Sequence, residues 1–227
     1  MVSPKKNRIL VIAPHADDEL IGVGGSLLRW KSQGCESLIV LVSASDLRLR
    51  HSGVVISKSK RVSEFREAAK LLSTEDPIFL GLEDSRLDLQ PLSLLVGKLD
   101  SILDRWLPDT VVYPEPSYHQ DHQFVNKACT AALRPTKKNL PSRILTYEIP
   151  TSTWVGSGSF FIPNSYVDIT ELLNEKLRIF QEIYSSQFTE FQRRKLALRG
   201  LRDHATYRGL ECGFEAAEAF KLLHERL

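Results

Sequence analysis

The chain has 227 residues, is 42% apolar and 26% charged, and sets 30 Lys and Arg against 28 Asp and Glu for a formal net charge of +2. That length suits one α/β domain over 1–227 with a core of ordinary size, and the near-neutral balance argues against nucleic acid or an anionic membrane as partner. Cys35, Cys129 and Cys212 show no CxxC spacing, so the thiols read as reduced, the protein as cytoplasmic, and no cysteine-based zinc site is visible.

Arg8 to Ala13 is an apolar run stopped by Pro14 and reads as a buried strand. Lys5-Lys6 before it gives a faint signal-peptide pattern, but the run is too short for that, and no stretch of the chain is long enough to span a bilayer. Gly25 to Gln33 is helical, with Gly34 as its stop. Ser37 to Val42 is a second strand. Leu47 to Ser57 lacks a period and reads as a loop. Ser59 to Leu72 is a helix with Val62, Phe65, Ala69 and Leu72 on one face. Ile78 to Leu80 is a short strand, Leu92 to Trp106 a helix, and Thr110 to Tyr113 a buried strand. Ile144 to Glu148 is a further strand. Thr151 to Pro163 is rich in Ser, Gly and aromatics, and Gly156-Ser157-Gly158 within it reads as a flexible loop near the site. Helices are expected over Asp168–Ser186, Phe188–Arg202 and Phe214–Arg226.

Alternating strands and helices mean βαβ units, a mostly parallel sheet and a Rossmann-like three-layer sandwich with helices on both faces. The C-terminal ends of parallel strands share one rim, where ligands bind in such folds. Two polar clusters stand at that rim. Pro14-His15-Ala16-Asp17-Asp18-Glu19 follows the first strand, and Ser117-Tyr118-His119-Gln120-Asp121-His122 follows the Thr110–Tyr113 strand. One carboxylate and two imidazoles drawn from two loops form a facial ligand set that leaves positions open, which suits catalytic zinc. A remaining carboxylate can take a proton from water, and a remaining imidazole can stabilise an oxyanion or protonate a leaving amine.

PHADDE after an N-terminal strand, with HQDH downstream, resembles the PIG-L/LmbE-like zinc-dependent de-N-acetylases, which remove acetyl groups from N-acetylglucosamine-type sugars. The likeness extends along nearly the whole chain, through Arg61 and Glu64, Tyr147-Glu148, Lys176, Tyr184 and Gln187, Arg208-Gly209 and Ala217-Glu218-Ala219-Phe220. The resemblance implies His15, Asp18 and His122 as zinc ligands and Asp17 as general base. It makes His119 the imidazole that stabilises the tetrahedral intermediate, and Asp121 the group that fixes the His119 tautomer and raises its pKa. Ala16 and Gln120 stand where the family usually has proline. Some relatives carry a mobile tyrosine near the second motif, and Tyr118 abuts His119. Iron(II), cobalt or another divalent cation would also suit such a donor set.

Arg61 and Asp84 are the candidates for substrate hydroxyls, and Glu19 reads as a supporting group paired to an arginine. Gly22-Val23-Gly24-Gly25 is not GxGxxG and stands beside carboxylates that would repel a pyrophosphate, so it reads as close backbone packing. His51, His204 and His224 have no partner motif. The expected function is removal of an acetyl group from an N-acetylated amino sugar or its conjugate. A two-metal phosphoesterase and a non-catalytic sugar-binding module are the rivals, and no GxSxG elbow supports a serine hydrolase. The aglycone is open among a free sugar, a glycolipid head group, a glycosylated thiol precursor and an antibiotic intermediate, and a homo-oligomer is also left open.

Overall fold

The computed structural model describes residues 7–49, 53–150, 161–187 and 191–226. Strand β1 (Arg8–Ala13) is followed by α1 (Asp18–Ser32), β2 (Glu36–Ser43) and a two-residue hairpin pair, β3 (Leu47–Arg48) and β4 (Val55–Ile56). Then come α2 (Lys58–Leu72), β5 (Ile78–Leu82), α3 (Leu92–Trp106), β6 (Thr110–Pro114), α4 (Gln120–Ala132) and β7 (Arg143–Tyr147). The chain closes with β8 (Ser165–Asp168), α5 (Leu173–Ile183), α6 (Phe191–Cys212) and β9 (Ala217–Glu225).

Seven strands form the main sheet in the order β5-β2-β1-β6-β7-β9-β8. β5, β2, β1, β6 and β7 run parallel, whereas β9 is antiparallel to both β7 and β8. β1 alternates its side chains between two cores. Ile9, Val11 and Ala13 join α1, α2 and α5 on one face, and Leu10 and Ile12 join α3 and α4 on the other. Burial on both sides is why the strand is apolar at every position rather than at every second one. The result is the three-layer sandwich that the alternating pattern implies.

Chain order reverses between β1 and β6, because β2 and β5 lie to one side and β7 to the other. This is the switch point at which α/β sheets open a crevice, and the two polar clusters follow the two strands that flank it.

Several elements depart from the expected ones. Residues 214–226 carry the good helix formers of Ala217-Glu218-Ala219-Phe220, yet β9 is a strand, because pairing with β7 and β8 outweighs intrinsic propensity. β8 occupies residues placed before and at the start of the expected Asp168 helix, which begins only at Leu173. Helix α1 starts at Asp18, seven residues before Gly25. Its glycines hide its first turns from a propensity reading. Close packing requires them: a Cβ on Gly22 would lie 2.2 Å from the Tyr147 ring, and one on Gly25 would lie 2.7 Å from Ile169 Cγ2. The second motif itself opens α4, an element that the sequence pattern leaves unassigned. The loop expected over Leu47–Ser57 holds the β3–β4 hairpin. His51, residues 151–160 with the Gly156-Ser157-Gly158 segment, and the first residues of the expected Phe188 helix lie outside the described residues.

Candidate active site

β1 ends at Ala13, and the chain turns through Pro14 and His15 into α1. Asp17 is the residue before the helix and adopts φ 123°, a left-handed value uncommon for a residue with a side chain. Its carboxylate makes no capping hydrogen bond. Its carbonyl accepts from Leu20 N and Ile21 N, and its own N–H donates to Glu19 Oε2 at 3.1 Å. Backbone strain of this kind persists where the surroundings fix it, and it leaves the Asp17 side chain free of structural duty.

Asp18, in the first turn of α1, is buried, and its Oδ2 accepts from the His15 N–H at 2.9 Å. The same oxygen lies 3.2 Å from His15 Nδ1 and 3.3 Å from His122 Nε2. From the other strand, β6 delivers Ser117, His119, Asp121 and His122. Ser117 Oγ stands 3.2 Å from His122 Nδ1 and accepts from His119 N at 3.1 Å. His122 therefore has one ring nitrogen held by a hydroxyl and the other aimed at Asp18. The three imidazoles crowd together, with ring centroids 4.7 to 5.3 Å apart.

Two donor triads result, His15–Asp18–His122 and His15–His119–Asp121, each with its ligand atoms within 4.8 Å of one another. Buried imidazoles and ionised carboxylates in this density suit a divalent cation. The charges argue the same way. Burial works against a charged His15, but its hydrogen bonds to Asp121 and Asp18 outweigh that and raise its pKa to about 10. Burial also opposes ionisation of Asp18, and His122 and His15 hold its carboxyl well below the usual range nonetheless. The pocket thus concentrates negative charge that a protonated imidazole offsets.

Asp17 and Glu19 shift the other way. Burial, reinforced by Asp18 and Glu19, pushes Asp17 well above the ordinary carboxylate range. Burial raises Glu19 to about 7, against the hydrogen bond from Tyr184. Among the described residues Glu19 pairs with no arginine. It accepts from Tyr184 OH at 2.5 Å and from Asp17 N.

Asp121 also differs from expectation. Its Oδ2 lies 2.9 Å from His15 Nε2 and accepts from Ser85 N at 2.6 Å, and its Oδ1 accepts from Leu87 N at 3.3 Å. Towards His119 it presents its backbone N–H, which donates to Nδ1 at 3.2 Å. His119 is lowered, not raised, because it is partly buried and faces His15 and His122, which outweigh the nearby carboxylates.

Arg61 and Asp84 meet each other. Arg61, on α2, is buried, and its Nη1 donates to the Asp84 carboxylate and to Ser45 O. Ser45 Oγ accepts from Asp84 N at 2.9 Å. Arg61 Nε and Asp84 Oδ1 are buried without a hydrogen-bond partner. Tyr118 is 56% exposed, so its side chain stands largely in solvent. Sequence reasoning missed Ser45 and gave no role to Ser117 and Tyr184, although both stand in the motifs it named. For Ser117 a signal existed: its five-residue spacing from His122 across a helix start lets a hydroxyl reach back to the imidazole.

The chain has relatives among known proteins. Residues 10–133, more than half of the chain, match the family described as PIG-L, GlcNAc-PI de-N-acetylase. The chain is similar to YaiS of Escherichia coli, an uncharacterized deacetylase, at 31% identity over 74% of this chain and 84% of that protein. It is also similar to the diacetylchitobiose deacetylase of Thermococcus kodakarensis, at 25% identity over 95% of this chain and 83% of that protein. Among solved structures, the N,N'-diacetylchitobiose deacetylase of Pyrococcus horikoshii superposes with a TM-score of 0.76 at 25% identity, covering 96% of this chain and 84% of that one.

Proposed function

The chain belongs to the PIG-L family, and from that premise we propose a divalent-metal-dependent hydrolase that removes the acetyl group from an N-acetylated amino sugar or its conjugate. The observation that carries the reading is the convergence of two separate motifs on Asp18 Oδ2, between His15 Nδ1 and His122 Nε2. His15, Asp18 and His122 would hold the cation, zinc or iron(II). Such an ion supplies Lewis-acid polarisation of the amide carbonyl and a lowered pKa for a neighbouring water.

The protein's own groups do the rest. Asp17, uncommitted and with a raised pKa, takes a proton from the attacking water and passes it to the amine nitrogen as the C–N bond breaks. Water thereby gives its hydroxyl to the acetyl carbon and its proton to the amine, so acetic acid and a free amine leave, and the acid loses its proton to solvent as acetate. His119 accepts the Asp121 N–H at Nδ1, which leaves its proton on Nε2. A neutral Nε2–H in the cleft can donate to the oxyanion that forms on the acetyl oxygen. Asp121 contributes by fixing His15 and tying the Ser85–Leu87 backbone to α4. Arg61 and Asp84, whose charges act on Asp17 and His15, are the groups we assign to hydroxyls of a sugar ring.

Two features bear on where the protein works. No helix among the described residues is long and apolar enough to cross a membrane. The three cysteines are free, which supports a reducing cytoplasm. The test is a deacetylation screen across N-acetylglucosaminides with different aglycones, with metal content measured on the same sample. The reading expects acetate release from at least one substrate and one ion per chain. Two ions per chain with phosphoester cleavage would replace it by the phosphoesterase, and sugar binding without turnover by the binding module.

A further inference from the structure

Lys176 on α5 and Glu218 on β9 form an ion pair at 2.7 Å, each side chain 5% exposed. Neither residue touches the metal triads. Both bond instead to the backbone of α1. Lys176 Nζ donates to Ile21 O at 2.7 Å. Glu218 Oε1 accepts from Gly25 N at 2.8 Å, and Oε2 from Ser26 N at 2.7 Å. Ile21 C=O and Gly25 N–H are partners four residues apart in an α-helix, so the ion pair engages both members of one rung in mid-helix. A buried ion pair is a costly way to gain stability alone, because desolvation consumes most of the attraction. Its position supplies another reason for it.

Ile21 is less than one turn beyond Asp18. The turn before it holds Asp17 in its φ 123° conformation without a side-chain cap, so something downstream must fix the first turn of the helix. A Cβ on Gly24 would lie 2.6 Å from Leu20 Cδ1 and one on Gly25 2.7 Å from Ile169 Cγ2, so these glycines let α1 pack closely beside the pair. A second anchor comes from the same part of the chain, since Tyr184, just past α5, holds Glu19.

We propose that Lys176 and Glu218 are positioning residues that clamp the middle of α1 and thereby set the aim of Asp18 and Asp17. The assignment rests on the metal reading of the site given above. Supporting groups around a metal ligand are typically worth ten- to a hundredfold in metal affinity or activity.

The test is zinc affinity of the metal-stripped full chain, by competition with a chromophoric chelator, together with kcat and KM on the best substrate from the screen. Glu218→Gln strands a buried ammonium, which destabilises the fold on that account alone. The double variant Lys176→Met/Glu218→Gln removes both charges and turns an amide NH2, a donor, toward one of the Gly25 and Ser26 N–H groups that the two carboxylate oxygens now accept. A core variant on the opposite face, Leu103→Ala, provides a destabilised control whose site is intact. The expected result is zinc binding weaker by about tenfold or more in the double variant. Its kcat should fall by a similar factor while KM changes little, and Leu103→Ala should retain wild-type zinc affinity despite a lower Tm. Zinc affinity and kcat in the double variant equal to those of Leu103→Ala would overturn the positioning role alone. A wild-type chain that takes up no zinc would remove the metal reading itself, and the clamp's purpose with it.

Discussion

At the scale of single residues, Asp17 concentrates the chemistry. Its backbone is strained, its carboxyl is unused by the fold, and burial beside Asp18 and Glu19 pushes its pKa up. Asp17→Asn preserves shape and tolerates the left-handed backbone better than most residues. The expected outcome is loss of acetate release by about 10²- to 10⁴-fold, the usual worth of a general base, with zinc content unchanged on the same preparation. Undiminished turnover would remove Asp17 from the base role. The motif residues themselves were legible in the sequence, because His15, Asp17, Asp18, His119, Asp121 and His122 are too polar for the mouth of a buried strand. Their pairings were not. That Asp121 turns its carboxylate to His15 and the Ser85 and Leu87 N–H groups depends on where the β5–α3 loop lies, and no local pattern encodes that.

At the scale of elements, α1 is the piece on which the site hangs. Its glycines are packing requirements. Gly22→Ala would drive a methyl group into the Tyr147 ring, whose hydroxyl donates to Ile12 O at the end of β1. Overpacking of this kind typically costs about 1–3 kcal/mol, so Tm should fall by several degrees in a thermal melt. A neutral or raised Tm would show that Tyr147 can move aside freely. The same helix shows why boundaries were hard to read. Gly22, Gly24 and Gly25 lower helix propensity, and tertiary contacts, such as Tyr147 against Gly22 and Ile169 against Gly25, restore the balance. β9 carries the converse lesson, since its alanines and glutamate favour helix until β7 and β8 offer backbone partners on both sides.

At the scale of the whole molecule, the parallel half of the sheet was legible because both-face burial makes its strands continuously apolar. The antiparallel edge was not, because β8 is short and β9 is only partly buried. That edge is tied to the rest by Glu148, just past β7, which lies 3.1 Å from His204 Nε2 and 2.6 Å from Arg208 Nε on α6. Burial opposes ionisation of Glu148, but His204 and Arg208 hold its carboxyl below its usual value. A depressed folded-state pKa adds stability above the unfolded-state value, and that stability is lost as pH falls through the folded one. The wild type should therefore exceed Glu148→Gln in Tm near neutrality, and the gap should close as pH falls below the ordinary glutamate value of about 4.3. A gap that widens on acidification would show the sign to be wrong.

The central claim is that one divalent cation sits between the two motif loops. Anomalous diffraction from zinc-loaded crystals tests it most directly. The account predicts a single strong peak per chain, about 2.0–2.2 Å from one nitrogen each of His15 and His122 and from an Asp18 oxygen. A peak on the His15–His119–Asp121 triad instead, or none at either, would contradict it.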